Sequence, residues 1–112
     1  MKVETQPQGM VTVVVPHGPL VADELPDFKQ AVEQVTQRRG GRVVIDLSQV
    51  AYLDSGGIEA LLELDSGQRS SVVGPKLAAI TETCREALDL TDALAQLEVF
   101  DTVENALRSF NR

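Results

Sequence analysis

The chain has 112 residues, the size of one domain, and carries 17 acidic residues against 10 basic ones for a formal net charge of −7. That balance argues against nucleic acid as a main partner, because phosphate backbones are gripped by clustered Lys and Arg. Hydrophobic residues make up 43% and aromatics only 4%, without Trp, so the expected core is Val, Leu, Ile and Ala. No stretch approaches the ~20 apolar residues that span a bilayer. Met1-Lys2-Val3-Glu4 runs straight into polar residues, so no signal peptide and a cytoplasmic location are expected. One cysteine, Cys84, and one histidine, His17, build neither an internal disulfide nor a structural zinc site.

Met10 to Val15 is β-branched and too short for a helix, which predicts a buried strand ended by Pro16 and a His17-Gly18-Pro19 turn. Val3-Glu4-Thr5 is expected to pair with it across a Gln6-Pro7-Gln8-Gly9 turn. From Asp23 to Arg38, Leu25, Phe28, Val32 and Val35 recur at helical spacing. Asp23 is the expected cap, Pro26 falls in the first turn, and Arg38, Arg39 and Gly40-Gly41 close the helix. Arg42 to Leu47 reads as a second strand covered on both faces. After Ser55-Gly56-Gly57 a helix follows with Ile58, Leu61, Leu62 and Leu64 inward, whereas 65–74 is polar and weakly patterned. Lys76 to Ile80 is the third strand. Thr81 or Thr83 caps a helix through Cys84, Ala87, Leu88 and Leu90. Glu98-Val99-Phe100 is extended, and a helix capped by Thr102 carries Val103, Ala106, Leu107 and Phe110 on one side. Strands alternating with helices predict one α/β domain over residues 1–112, with a mixed, mostly parallel sheet and about four flanking helices.

Enzyme readings find little support. His17 sits in a turn with no second imidazole to form a relay or a metal pair. Cys84 occupies an apolar helical position, where it reads as a small core residue. Gly67 to Gly74 before Pro75-Lys76 has six residues between the glycines where a phosphate loop needs four, and Pro75 breaks its end. Asp46 at a strand end suggests a phosphoaspartate receiver, but Asp23-Glu24 and Lys76 fall in the wrong elements for one. The remaining constellation is Asp54-Ser55-Gly56-Gly57-Ile58 at a strand-to-helix junction. Structurally, Asp and Ser are good caps and paired glycines give a sharp turn with bare amides. Functionally, a hydroxyl at a helix N-terminus stands where amides and dipole accommodate an anion, so Ser55 could take a phosphate without unfolding its host.

Val43-Val44-Ile45-Asp46-Leu47, then Val50-Ala51-Tyr52-Leu53-Asp54-Ser55-Gly56-Gly57-Ile58, resembles the signature of STAS domains, the family named for sulfate transporters and anti-sigma factor antagonists. Leu88-Asp89-Leu90-Thr91-Asp92-Ala93-Leu94 and Val99 to Leu107 are similar to its closing pattern. The resemblance implies a partner-binding regulatory module without cofactor or metal. It implies an anti-sigma factor antagonist that binds a serine-kinase anti-sigma factor, is inactivated by phosphorylation at Ser55, and is restored by a serine phosphatase. Asp54 would shape the loop and orient the Ser55 hydroxyl, and Asp54, Gly56, Gly57, Ile58 and Glu59 would form the docking face. Three residues depart from the pattern: Gly56 replaces a second hydroxyl residue, Glu59 stands where glycine is usual, and Val21 replaces an acidic residue after Gly18-Pro19-Leu20. The alternative is a non-phosphorylated STAS scaffold in a transporter-associated or stress-sensing complex.

Overall fold

The computed structural model describes residues 1–37, 42–67 and 75–110. Its first elements are β1 (Lys2–Gln8) and β2 (Val11–His17), an antiparallel hairpin in which Gln8 pairs with Val11. The turn is therefore Gly9-Met10 alone, not the expected Gln6 to Gly9, and Met10 lies outside the strand, 55% exposed. Gly9 supplies the positive φ (66°) that a two-residue hairpin needs. Pro7 stays in β1 because β1 is an edge strand, where a missing N–H can be spared.

The remaining elements are α1 (Leu25–Thr36), β3 (Arg42–Asp46), α2 (Ser55–Gly67), β4 (Lys76–Ala78), α3 (Glu82–Leu90), β5 (Val99–Phe100) and α4 (Val103–Ser109). The five strands lie in the order β1-β2-β3-β4-β5, with every pair after the hairpin parallel. This is the mixed, mostly parallel sheet with four helices that the sequence predicts. Because each crossover steps the same way, α1, α2 and α3 share one face. There Phe28, Val32 and Val35, Ala60 and Leu61, and Cys84 and Leu88 pack on Val14, Val43, Ile45 and Leu77. The other face holds Val11, Val13, Val15, Val44 and Ala78 and is covered by α4 through Ala106, Val103 and Phe110. Burial on both faces explains the unbroken apolar runs of β2 and β3.

Several boundaries differ from expectation. Residues Ala22–Glu24 form a 3-10 turn ahead of α1, so Asp23 is not its cap, and Glu24 at that position makes no side-chain capping bond. Pro26 does lie in the first turn, while the expected closing residues 38–41 and most of the polar segment 65–74 fall outside the described residues. β4 stops at Ala78, short of Ile80, because Ala79 turns into the left-handed region (φ 56°). Thr81, not Thr83, caps α3 by accepting from the Cys84 amide, and Thr102 caps α4 by accepting from Asn105. Leu90 is 81% exposed, against expectation. It stands two residues past the inward Leu88, about 200° around the helix. Cys84 is buried in the core as expected, its thiol donating to the Val50 carbonyl (3.3 Å). His17 ends β2 half-buried rather than sitting in an exposed turn, its Nε2 2.6 Å from Glu4 Oε1.

Lys76 is the one buried charged residue among those described. Its ammonium lies on the α4 side of the sheet, bonded to Ser109 Oγ and 3.4 Å from Glu98. The rings of Phe110 (4.2 Å) and Phe100 (5.4 Å) cover it, so cation–π attraction and a carboxylate compensate for lost water.

Candidate functional site

The site is a corner made by two segments far apart in sequence. Beyond β2 the chain runs through Gly18-Pro19-Leu20, and beyond β3 through Ser48 to Leu53; Leu20 and Leu53 form a parallel bridge. Leu20 donates to the Tyr52 carbonyl (3.1 Å) and its own carbonyl accepts from the Asp54 amide (3.2 Å). Gly18 donates to the Gln49 carbonyl (3.2 Å). These bonds extend the pairing of β2 and β3 past their nominal ends and fix where α2 begins.

Asp54 caps that helix. Its Oδ1 accepts from the Gly57 amide (2.8 Å), the third residue of α2, while its Oδ2 accepts from the Ala22 amide (3.1 Å) in the turn before α1. One carboxylate thus ties α2 to the neighbouring connection. The Gly57 amide, then the Ala22 amide, hold its carboxyl below the ordinary range for aspartate by favouring the charged form. Both oxygens accept from backbone amides, which ties the start of α2 to the turn before α1.

The glycine pair is helical, not a sharp turn, and neither residue has a positive φ. Gly57 is buried with a different purpose: a Cβ there would lie 2.2 Å from the Leu20 carbonyl oxygen and 3.1 Å from Leu53 Cβ. Glycine lets α2 press against the bridge. At half-buried Gly56 a Cβ would meet two side-chain atoms, Asp54 Oδ1 and Leu25 Cδ1, both at 3.2 Å, and the Ala22 Cα at an ordinary 3.9 Å.

Ser55 is the first residue of α2 and is exposed. Glu59, also exposed, follows one helical turn later on the same side, and Ile58 is half-buried against the core. Val21 is half-buried, and the acidic residues of that connection are Asp23 and Glu24 in the 3-10 turn abutting Gly56. Sequence reasoning missed the Leu20 carbonyl and the Ala22 amide as parts of the site. The polar His17-Gly18-Pro19 turn gave no sign of which loop it would meet.

The model of the STAS domain matches residues 2–106, and the chain belongs to that family. No curated protein matches it in sequence. Among solved structures, a candidate anti-sigma factor antagonist of Thermotoga maritima superposes with a TM-score of 0.88 at 20% identity, covering 98% of this chain and 95% of that one. An anti-sigma factor antagonist of Mycobacterium paratuberculosis gives 0.81 at 23% identity over 99% of this chain and 94% of the other. Murine Slc26a9, an anion transporter, gives 0.75 at 24% identity, covering 91% of this chain but 18% of the transporter. These likenesses establish the fold. Among the described residues no helix is long and apolar enough to cross a membrane.

Proposed function

We propose that the chain is an anti-sigma factor antagonist that binds a serine-kinase anti-sigma factor and is switched off by phosphorylation of Ser55, with a serine phosphatase reversing the switch. The observation that carries this reading is the exposed Ser55 beside an Asp54 whose two oxygens are already taken by backbone amides. A helix N-terminus normally welcomes an anion, but here Asp54 fills that role. A phosphate of about −1.5 to −2 charges on Ser55 would therefore point outward, altering the docking face formed with Gly56, Ile58 and Glu59. Gly57, buried beneath, sets the height of that face.

The test uses the purified anti-sigma kinase and ATP. Intact-mass analysis should show one added phosphate, lost in Ser55→Ala, and Ser55→Asp should bind the kinase more weakly than the native chain while melting at the same temperature. Equal binding of Ser55→Asp would refute the switch. The second reading, a scaffold in a transporter-associated or stress-sensing complex, is favoured by Glu59, whose charge one turn from Ser55 opposes an incoming phosphate. There the partner would bind with Ser55 never modified.

A further inference from the structure

β1 forms one edge of the sheet over seven residues, while the opposite edge, β5, is two residues long. In the hairpin, Val3 lies opposite Pro16 and Pro7 opposite Thr12. A proline has no N–H to exchange, so the hydrogen-bonded pairs of this antiparallel ladder are the alternate ones, Lys2–His17, Glu4–Val15, Gln6–Val13 and Gln8–Val11. Val3 and Thr5 therefore turn their amides and carbonyls away from β2, toward the open edge. Pro7 shares that orientation, so its missing N–H is missing from the edge and not from the hairpin. An edge with unpaired donors and acceptors is a template for a further strand.

The surroundings of this edge suit a second copy of the chain. Two copies with a net charge of −7 each repel, so a shared face has to be poor in unpaired acid. Beside β1, α1 presents the uncharged Gln30, Ala31 and Gln34, and the one acid there, Asp27, is paired with the Met1 amine at 2.9 Å. On the other face of β1, Lys2 is exposed, its Nζ 4.0 Å from Glu4 Oε1. A strand with Lys and Glu two residues apart matches itself when reversed. With a two-fold axis at Val3, Lys2 of each copy lies opposite Glu4 of the other, in the closely spaced, non-hydrogen-bonded position. Centred on Glu4 instead, the two Glu4 carboxylates would oppose each other. Centred on Thr5, each Val3 carbonyl would face the Pro7 nitrogen, which has no hydrogen to give.

From this self-complementarity we infer that the β1 edge joins two copies of the chain as an antiparallel pair centred on Val3. Val3 of each copy exchanges both bonds with Val3 of the other, and each Thr5 amide donates to the Met1 carbonyl across the axis. The two five-stranded sheets become one. β5, too short to pair in its turn, then forms both outer edges, so the assembly closes at two copies and does not run on into a fibre. The ladder from Met1 to Thr5, flanked by the α1 strip, is smaller than the roughly 800 Å² a side of a standard interface, so the pairing is weak and reversible. It is independent of any role for Ser55.

Sedimentation equilibrium of the purified chain, from about 1 µM to about 1 mM, should give a dimer with a dissociation constant of about 10–100 µM. Thr5→Pro removes only an amide that points to the open edge, and Pro7 shows that β1 accepts proline in that orientation. This variant should stay monomeric throughout, and at the lowest concentration it should melt with the native chain. Lys2→Glu sets Glu against Glu4 of the other copy twice and should weaken the dimer about tenfold, whereas Lys2→Glu combined with Glu4→Lys should restore it. A native chain that is monomeric over the whole range, a dimer that survives Thr5→Pro, or a double exchange that fails to restore pairing would each overturn the inference.

Discussion

Replacing Gly57 by alanine puts a methyl group in place of a hydrogen at the point where α2 meets the Leu20–Leu53 bridge. The new Cβ would sit 2.2 Å from the Leu20 carbonyl oxygen, against the roughly 3.5 Å at which non-bonded atoms rest, so one side must retreat by about 1 Å. The obstacle is backbone, held by the Asp54 amide at 3.2 Å, and cannot swing aside as a side chain would. Overpacking of this kind costs about 1–3 kcal/mol, and loss of the Asp54 to Leu20 bond adds about 1 kcal/mol. Alanine's better helix propensity returns about 1 kcal/mol. The net loss of about 1–3 kcal/mol corresponds to a fall of roughly 4–12 °C in Tm for a domain of this size. Thermal melts followed by far-UV circular dichroism measure it, with Gly56→Ala as the control. At Gly56 the nearest atoms, Leu25 Cδ1 and the capping Asp54 Oδ1, lie at 3.2 Å and need give only a few tenths of an ångström, so the change should cost less than Gly57→Ala. Equal melting of Gly57→Ala and the native chain would show that α2 does not depend on this close approach.

Two further outcomes follow from charged groups. The folded-state pKa of Asp54 is depressed, so its capping stabilises the fold above the unfolded value of about 4 and is lost as pH falls through the lower folded value. Urea midpoints of native and Asp54→Asn protein should therefore converge as pH drops from 5 toward 2; a constant gap would contradict the amide bonds. Lys76→Met keeps an unbranched side chain only one atom shorter and lets Glu98 return to water, so it should cost under about 1 kcal/mol. Lys76→Ala opens a cavity beneath Phe100 and Phe110 and should cost about 2 kcal/mol or more by denaturant titration. Equal costs would mean that the ammonium, rather than the aliphatic stem, holds that layer.

The sequence announced most elements because their signals are local: β-branched runs for β2 and β3, helical spacing for α1, and Thr capping for α3 and α4. It failed where a distant element decided. The turn before α1 gives its Ala22 amide to Asp54, thirty-two residues away, and no local pattern contains that bond. The Gly56-Gly57 pair was legible as unusual, yet its meaning depends on the Leu20 carbonyl opposite. Lys76 read as an ordinary strand residue because its shelter is assembled from Phe100, Ser109 and Phe110, all much later in the chain. The position of Ser55 at the head of α2 was recoverable from spacing alone; the occupation of both Asp54 oxygens was not.

The order of strands across the sheet is also their order of synthesis. As the chain leaves the ribosome, each new strand finds the edge it needs already made, and none has to be inserted between two earlier ones. The face carrying Val11, Val13, Val15 and Val44 waits longest, because its cover, α4, comes last of the described helices. Until then a growing chain displays a bare apolar sheet, the kind of surface that chaperones hold and that sticks to its neighbours. A chain cut before Val103 should therefore form its α1–α3 layer and still precipitate.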